Sequence, residues 1–227
     1  VDLQALLRSM GARVNGAGGS IITVEGGAAL HGCTHRVIGD RIVCATYLCA
    51  AAAAGGEVRL TGVDYRAVST VALSLAESGC EVRSEADAVS LRSTGALRSV
   101  RPVRTAPYPG FPTDAQPVLM AALLRSEGCT VFVENIFENR YRHVDELSRM
   151  GAEIRVAGRV AVVNGVRTLH GAAVKCTDLR GGAALVIAGL SAEGTTRVTE
   201  LTHIDRGYDA IERDLAALGA QIRRETT

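Results

Sequence analysis

The sequence has no tryptophan and few aromatic residues, since Phe, Trp and Tyr together make up 4% of its 227 residues. Hydrophobic residues nevertheless make up 47%, so Ala, Val, Leu and Ile must fill the core. The longest apolar run, residues 47–54, is far shorter than the roughly 20 residues that a membrane-spanning helix needs. A net charge of +1 excludes a disordered segment and argues against a general nucleic-acid binder. We expect a soluble globular protein with neither nucleic acid nor membrane as a partner.

Closely spaced cysteine pairs are also missing. The six cysteines are scattered without any C-x-x-C pair, which indicates free thiols in a reducing cytoplasm. His31 and His35 flank Cys33, but this motif lacks the further ligands and the spacing of a zinc site. The sequence therefore predicts no metal and no cofactor.

Lysine is nearly absent, because Lys175 is the only lysine among the 25 basic residues. A GC-rich genome accounts for such a bias. Arginine forks also match planar anions such as carboxylate and phosphate better than lysine does. The position of each arginine in the fold must decide between the two explanations.

A repeated phrase organises the chain: a helix end, then a glycine, then a strand. Its four glycines are 68, 72 and 68 residues apart, and they are Gly11, Gly79, Gly151 and Gly219. A second phrase, in which a glycine precedes an alternating strand, recurs at intervals of 72 and 66 residues, at Gly56, Gly128 and Gly194. The period of about 70 residues predicts units of strand, helix, strand, helix, strand, strand.

The two helices of each unit differ in pattern. The first helices, at residues 40–54, 114–126 and 178–192, are apolar almost all round and should be buried on every side. The second helices are amphipathic, with apolar stripes at Val144, Leu147 and Met150 and at Ile211, Leu215 and Leu218.

The period also predicts how the chain divides. Residues 1–30 hold only the tail of a unit, with a closing strand at 21–24, and the chain begins at Val1 in a helix-like segment. We expect a fragment in which residues 1–31 are the C-terminal remnant of a preceding domain. Residues 32–227 would form a second domain of three units, at about 32–97, 98–170 and 171–227, the last without its closing strand.

Charged residues collect at the predicted helix starts. Asp, Asn and Thr at these positions are explained by N-capping. An arginine in a first turn opposes the helix dipole, so capping does not explain it. Helix starts that meet at one end of the domain would form a site for phosphate or carboxylate. The alternative is an arginine that points to solvent, above all at Arg66; the other arginines of this group are Arg41, Arg140, Arg180 and Arg206.

Proline occurs only between residues 102 and 117, around Asp114. A stiff loop that leads to one carboxylate holds that carboxylate still, which suits a base or a hydroxyl acceptor. The alternative is a rigid crossover whose Asp114 only caps the helix. Nearby candidates are His143, either an anion contact or a structural residue, and the pair Gly181 and Gly182, which would let a ligand approach a buried helix.

Four motifs resemble those of the UDP-N-acetylglucosamine 1-carboxyvinyltransferase family: F-P-T-D at 111–114, I-F-E-N-R at 136–140, T-D-L-R at 177–180 and H-I-D-R-G-Y at 203–208. The resemblance runs over the whole chain. It implies an α/β fold, the inside-out α/β barrel of the enolpyruvyl transferases, with repeated βαβαββ units and buried central helices. The family's chain is nearly twice as long, so the resemblance implies its C-terminal half.

The resemblance also implies catalytic roles for two carboxylates. Asp114 would bind the 3-hydroxyl of the sugar and act as general base. Asp178 would assist proton transfer near the enolpyruvyl carbon.

The remaining implied roles concern substrate binding. Ile136 would contact the UDP-sugar, with Phe137 beside it. Arg180 and Arg206 would hold the carboxylate and phosphate of phosphoenolpyruvate, and Arg140 would help to close two domains over the ligands.

The implied function is transfer of the enolpyruvyl group from phosphoenolpyruvate to UDP-N-acetylglucosamine. This is the first committed step of peptidoglycan synthesis in the cytoplasm, and it serves cell wall biogenesis, cell shape and cell division. The family's proton-donor cysteine lies in the first domain, so the missing N-terminal domain is an expected partner and this chain alone should be inactive. Two alternatives remain: a noncatalytic binding module derived from that enzyme, and the related transferase that acts on shikimate 3-phosphate.

Overall fold

The computed structural model describes residues 1–225 and contains two compact units, Val1–Gly39 and Asp40–Thr227. The predicted division after residue 31 stays a prediction. The first unit consists of α1 (Asp2–Ser9) and a hairpin of β1 (Arg13–Asn15) with β2 (Thr23–Glu25).

The second unit repeats an alternation of helices and strands. Its elements are α2 (Arg41–Ala54), β3 (Gly56–Thr61), α3 (Tyr65–Glu77), β4 (Glu81–Ser84), β5 (Ala88–Ser93), β6 (Val103–Arg104), a 3-10 turn (Thr113–Ala115), α4 (Gln116–Ala122), β7 (Cys129–Val133), α5 (Val144–Arg149), β8 (Glu153–Ala157), β9 (Val160–Asn164), β10 (Leu169–His170), β11 (Ala173–Lys175), α6 (Leu179–Leu190), β12 (Ala192–Glu193), β13 (Arg197–Thr199), α7 (Thr202–Asp205) and α8 (Ile211–Ala217). No helix within residues 1–225 is both long and apolar enough to cross a membrane.

The three central helices α2, α4 and α6 pack against one another in the middle of the second unit. Every residue of α4 is buried, as is every residue of α6 from Arg180 to Ala188. A helix that is apolar on all sides gains most by burial among others, at about 1.5–3 kcal/mol for each large side chain. The prediction that the first helix of each unit is buried on every side is confirmed.

Small sheets surround these helices. An antiparallel sheet has the order β3-β5-β4, and a four-stranded sheet has the order β6-β7-β9-β8, with β6 parallel to β7. In the third repeat, β10 pairs with β12 and β11 pairs with β13, both in parallel. When parallel strands lie before and after a buried helix, the helix begins at the edge of the sheet where the strands end.

The repeated glycines end helices as predicted. The four glycines of the first phrase all have a left-handed backbone, with φ between 91° and 110°. A glycine pays no steric penalty there, so it stops a helix where other residues would be strained.

Two predicted helix starts are wrong. Glu138, Asn139 and Arg140 lie in a loop, because α5 begins only at Val144. Arg206 follows the last residue of α7, a helix of four residues, instead of opening a helix. Residues that can cap a helix also form local turns, so they do not by themselves predict a helix start. In both cases the chain makes a further turn before the second helix packs.

The first and third repeats lack strands that the period predicts. Within the described residues, 32–40 contain no leading strand and 218–225 contain no closing strands. In the second repeat β8 pairs with β9. The described part of the third repeat, up to residue 225, contains no counterpart of β9, and residues 220–225 pair with no strand. Leu218, the last residue of the predicted apolar stripe, is 56% exposed, whereas Ile211 and Leu215 are buried.

Candidate active site

Asp114 lies in the 3-10 turn directly before the buried helix α4. Its carboxylate does not cap, because neither that turn nor α4 has a side-chain cap hydrogen bond. Instead Oδ1 accepts a hydrogen bond from Arg140 Nη2 at 2.8 Å, and Oδ2 accepts one from Arg180 Nε at 3.4 Å. The alternative in which Asp114 only caps the helix is wrong. The carboxylate stays 40% exposed, so solvent or a ligand can reach it.

The two arginines beside Asp114 are mostly buried, with side chains 14% and 10% exposed for Arg140 and Arg180. Aromatic rings support both guanidinium groups: Arg140 lies 5.5 Å from the centre of the Phe137 ring and Arg180 lies 5.4 Å from that of Tyr208. Stacking of this kind fixes the plane of the fork. Arg140 Nε and Arg180 Nη1 have no hydrogen-bond partner among residues 1–225. Both of these nitrogens are buried, so solvent does not reach them in this conformation.

Asp178 positions the start of α6. Its Oδ1 accepts hydrogen bonds from the backbone N–H groups of Arg180 at 3.0 Å and Gly181 at 2.9 Å, so it is the N-cap of this helix. Capping orients the first turn, from which Arg180 reaches Asp114. No hydrogen bond joins Asp178 to Asp114 in the described part of the chain.

A cavity of 340 Å³ opens beside Asp114. Ile136 and Phe137 form part of its wall, and their side chains are partly exposed. Its other lining residues are Arg41, Arg66, Ala67, Ser69, Thr70, Ala106, Pro107, Tyr108, Pro109, Gly110, Pro112 and Thr113. Arg66 is 87% exposed and pairs with Asp64, which confirms its prediction as an arginine facing solvent. The proline-rich loop thus walls a cavity whose polar end is Asp114.

Arg206 does not join this cluster. It lines a second cavity of 630 Å³ with Asp205, Gly207, Tyr208, Asp209, Ala210, Glu212 and Arg224. Within residues 1–225 no hydrogen bond links Arg206 to Asp114, Arg140 or Arg180. The predicted meeting of arginines is therefore observed for Arg140 and Arg180, while Arg206 lines the second cavity, whose wall also includes the Tyr208 that stacks on Arg180.

His143 is fully buried beside the start of α6. A Cβ placed at Gly181 would lie 2.9 Å from His143 Cβ. Burial lowers the pKa of His143 to about 4; Arg140 also lowers this pKa, whereas Asp178 opposes the shift. The imidazole is therefore neutral at neutral pH, so it adds no charge for binding an anion.

The predicted role of the glycine pair in α6 is wrong. A Cβ at Gly181 would meet Asp178 at 2.9 Å, and a Cβ at Gly182 would meet Ile204 at 2.7 Å and Cys176 at 2.8 Å. Protein atoms occupy the space beside both glycines. Their lack of a side chain serves close packing and leaves no room for a ligand.

Sequence reasoning missed Glu134, whose side chain is buried at 1% exposure at the end of β7. Its carboxylate accepts hydrogen bonds from Thr105, Thr113, Ile136 and Phe137. The sequence does contain a pattern that predicts the burial of Glu134, because strand alternation places it on the same face as the buried Thr130 and Phe132. A carboxylate on a buried face must have partners.

Tyr208 was also given no role. Besides stacking on Arg180, its hydroxyl shares a hydrogen bond of 2.8 Å with Thr46 Oγ1 on α2. Burial raises the pKa of Tyr208, so the phenol stays neutral. No sequence pattern predicts a contact between residues so far apart.

The cysteines and the H-x-C-x-H motif form no metal site in the described residues. His35 contacts Asp2 at 3.0 Å and Cys33 contacts Ser9 at 3.1 Å, so the motif residues have separate partners. Burial raises the pKa of Cys44 to about 12 and that of Cys176 to about 11. Both are neutral thiols at neutral pH and weak nucleophiles.

A family model described as EPSP synthase (3-phosphoshikimate 1-carboxyvinyltransferase) matches residues 1–215. A UDP-N-acetylglucosamine 1-carboxyvinyltransferase from Gluconacetobacter diazotrophicus is 52% identical over 223 residues, which are 98% of this chain and 53% of that protein. A protein of the same name from Desulfofundulus thermocisternus is 51% identical and is covered over 92% of its length. This chain therefore spans about half of the first relative and most of the second.

Solved structures show the same fold. The enolpyruvyl transferase NikO from Streptomyces tendae has a TM-score of 0.79 at 29% identity, over 98% of this chain and 53% of that one. EPSP synthase from Acinetobacter baumannii has a TM-score of 0.75 at 19% identity, over 98% and 55%. The predicted α/β fold of the enolpyruvyl transferase type is confirmed.

Proposed function

Because this chain belongs to the EPSP synthase family of enolpyruvyl transferases, we propose that it carries the second-domain half of a transferase site. The site would transfer the enolpyruvyl group of phosphoenolpyruvate to the 3-hydroxyl of UDP-N-acetylglucosamine. The cluster of Asp114 with Arg140 and Arg180 carries this proposal. Relatives about half identical to this chain bear the name of that enzyme.

The proposed role of Asp114 is to accept the proton of the sugar 3-hydroxyl. The oxygen then bonds to C2 of phosphoenolpyruvate while C3 gains a proton, which comes from outside this chain. In the second step the bond between C2 and the phosphate oxygen breaks, C3 loses a proton, and inorganic phosphate leaves. A carboxylate at the end of a stiff loop, still 40% exposed, supports such a role because it reaches a ligand without moving.

Arginines are proposed to bind the anionic groups. Arg180, whose Nε lies 3.4 Å from Asp114 Oδ2, would hold phosphoenolpyruvate, with Arg206 reaching it from the second cavity, and Arg140 would help to close the domains. Fixed guanidinium groups stabilise the charge that grows on a departing phosphate. Ile136 and Phe137 would contact the UDP-sugar from the cavity wall.

The remaining parts of the proposal concern Asp178 and the biological setting. Asp178 would assist proton transfer while it caps α6. The missing N-terminal domain would complete the site, and the product would enter peptidoglycan synthesis, which supports cell wall biogenesis, cell shape and cell division. A cytoplasmic location agrees with six free cysteines.

Titration of UDP-N-acetylglucosamine into the chain, followed by heteronuclear NMR, tests this proposal. We expect amide shifts at Asp114, Ile136 and Phe137. Asp114→Asn should weaken binding about tenfold, because it removes a charged acceptor for the sugar hydroxyl. Glu85→Gln is the control, since Glu85 pairs with the exposed Arg59 and neither residue lines the cavity.

The same titration separates the alternatives. A noncatalytic module would ignore both the UDP-sugar and the Asp114→Asn change. Tighter binding of shikimate 3-phosphate than of the UDP-sugar would favour the second transferase. Either result would contradict the proposed substrate.

A further inference from the structure

The carboxylate of Glu134 is the most heavily used acceptor near the site. Oε1 accepts hydrogen bonds from Thr105 Oγ1 at 2.8 Å, Ile136 N at 2.7 Å and Phe137 N at 3.1 Å. Oε2 accepts one from Thr113 Oγ1 at 2.9 Å. Four donors compensate the burial of one negative charge, which would otherwise be costly.

These donors come from two segments that wall the cavity beside Asp114. Thr105 and Thr113 bracket the proline-rich loop, and Thr113 directly precedes Asp114. Ile136 and Phe137 belong to the opposite segment, after β7. The Glu134 side chain therefore bonds to both walls at once. Asn135 also joins them by donating to Thr105, and Arg140 by donating to Thr113 O.

Each wall also has its own internal bonds, but none of them sets the distance between the walls. In the loop, Ala106 N donates to Phe111 O at 3.0 Å and Gly110 N donates to Pro107 O at 2.8 Å. These bonds keep the loop compact. Its attachment to the 134–137 segment passes through Thr105, which also accepts from Asn135 N at 2.8 Å, and through the bond from Thr113 to Glu134.

We propose that Glu134 is a positioning residue that places Asp114 and the Ile136–Phe137 wall for the sugar nucleotide. It acts through Thr113 on one side and through two backbone amides on the other, and it does not touch the substrate. This inference rests on the proposed function, because the ligand it serves is the UDP-sugar.

Thr113 offers the cleanest variants. Thr113→Val removes the hydroxyl that reaches Oε2 and keeps the volume, whereas Thr113→Ser keeps the hydroxyl. Thr130→Val is the matched control. Thr130 lies at the other end of β7, and its buried hydroxyl accepts a hydrogen bond from Val100 N at 3.2 Å. We expect Thr113→Val to weaken UDP-N-acetylglucosamine binding about tenfold, the cost of one hydrogen bond to a charged group. Thr113→Ser should restore it and Thr130→Val should leave it unchanged.

Hydrogen exchange measured by mass spectrometry supplies a readout that needs no ligand. We expect residues 106–115 to exchange faster in Thr113→Val and in Glu134→Gln than in the unchanged chain, while Thr130→Val leaves this segment unaffected. Unchanged exchange in that segment for both variants would overturn the positioning role. Equal affinity of Thr113→Val and the unchanged chain would do so as well.

The two proposals fail in different ways. If the unchanged chain does not bind the UDP-sugar, the proposed function is contradicted, and the exchange of residues 106–115 alone decides the role of Glu134. If it binds and all three threonine variants lose affinity alike, the effect is general destabilisation and the positioning role is wrong.

Discussion

Among single residues, Asp114 pairs with two arginines whose side chains are largely buried. A carboxylate between Arg140 and Arg180 balances two cations that are largely withdrawn from water. Removal of one partner from such a group leaves charge uncompensated, so the three side chains act as a unit. An incoming anion can replace Asp114 as the partner of the two arginines, while a substrate hydroxyl donates a hydrogen bond to Asp114. Through this exchange of partners the cluster can bind an anion and a hydroxyl.

His143 makes a residue-scale prediction about pH. Its pKa in the folded chain is about 4, against an ordinary value of 6.5, because burial disfavours the charged form. Between these values the unfolded chain binds a proton that the folded chain does not, so the free energy of unfolding falls as pH is lowered from 6.5 to 4. The full contribution is about 3 kcal/mol. Urea unfolding of His143→Gln across this range should show a correspondingly weaker pH dependence.

His170→Gln is the control for that measurement, since His170 is exposed. It should keep the pH dependence of the unchanged chain. The same pH dependence in His143→Gln as in the unchanged chain would mean that folding does not lower the pKa of His143.

Among the elements, the central helices combine burial with a capped polar start. Asp40 caps α2 through Ile42 N and Val43 N, and Asp178 caps α6 in the same geometry. Each cap satisfies two N–H groups at the end of a buried helix. Capping thus explains why Asp40 and Asp178 stand at these helix starts, as the sequence suggests. Asp114, at the start of α4, caps no helix.

A pair of substitutions separates capping from charge at Asp178. Asparagine caps as well as aspartate, so Asp178→Asn should change the free energy of unfolding by a few tenths of a kcal/mol, roughly, whereas Asp178→Ala should cost about 1 kcal/mol. Asp40→Asn and Asp40→Ala are the matched controls and should differ in the same way. Chemical denaturation measures all four. If Asp178→Asn costs as much as Asp178→Ala, the negative charge itself stabilises the fold.

Helix starts were the weakest part of the sequence prediction. Capping residues correctly placed the starts of α2, α3 and α6, where a buried or amphipathic helix follows at once. They failed at Arg140 and Arg206, because turn residues look the same whether or not a helix follows. The contact between Arg140 and Asp114 nevertheless forms, from a loop.

For the whole molecule, the glycine period was the most informative signal. It predicted the repeats and the buried helices, because a left-handed glycine ends the same helix in every unit. The Glu134 bonds and the Thr46–Tyr208 contact were beyond prediction in detail, since they join distant segments whose approach depends on the assembled fold. The separation of Arg206 from Asp114 was hidden for the same reason.

The central claim is that this chain supplies half of an enolpyruvyl transferase site. The most direct test joins the first half of the Gluconacetobacter diazotrophicus relative to Val1 and measures phosphate release from phosphoenolpyruvate with UDP-N-acetylglucosamine. We expect turnover by the joined protein, none by the 227-residue chain alone, and a loss of roughly 10²–10⁴-fold on Asp114→Asn, the usual contribution of a general base. Turnover by the isolated chain, or a joined Asp114→Asn protein that keeps its rate, would contradict the claim.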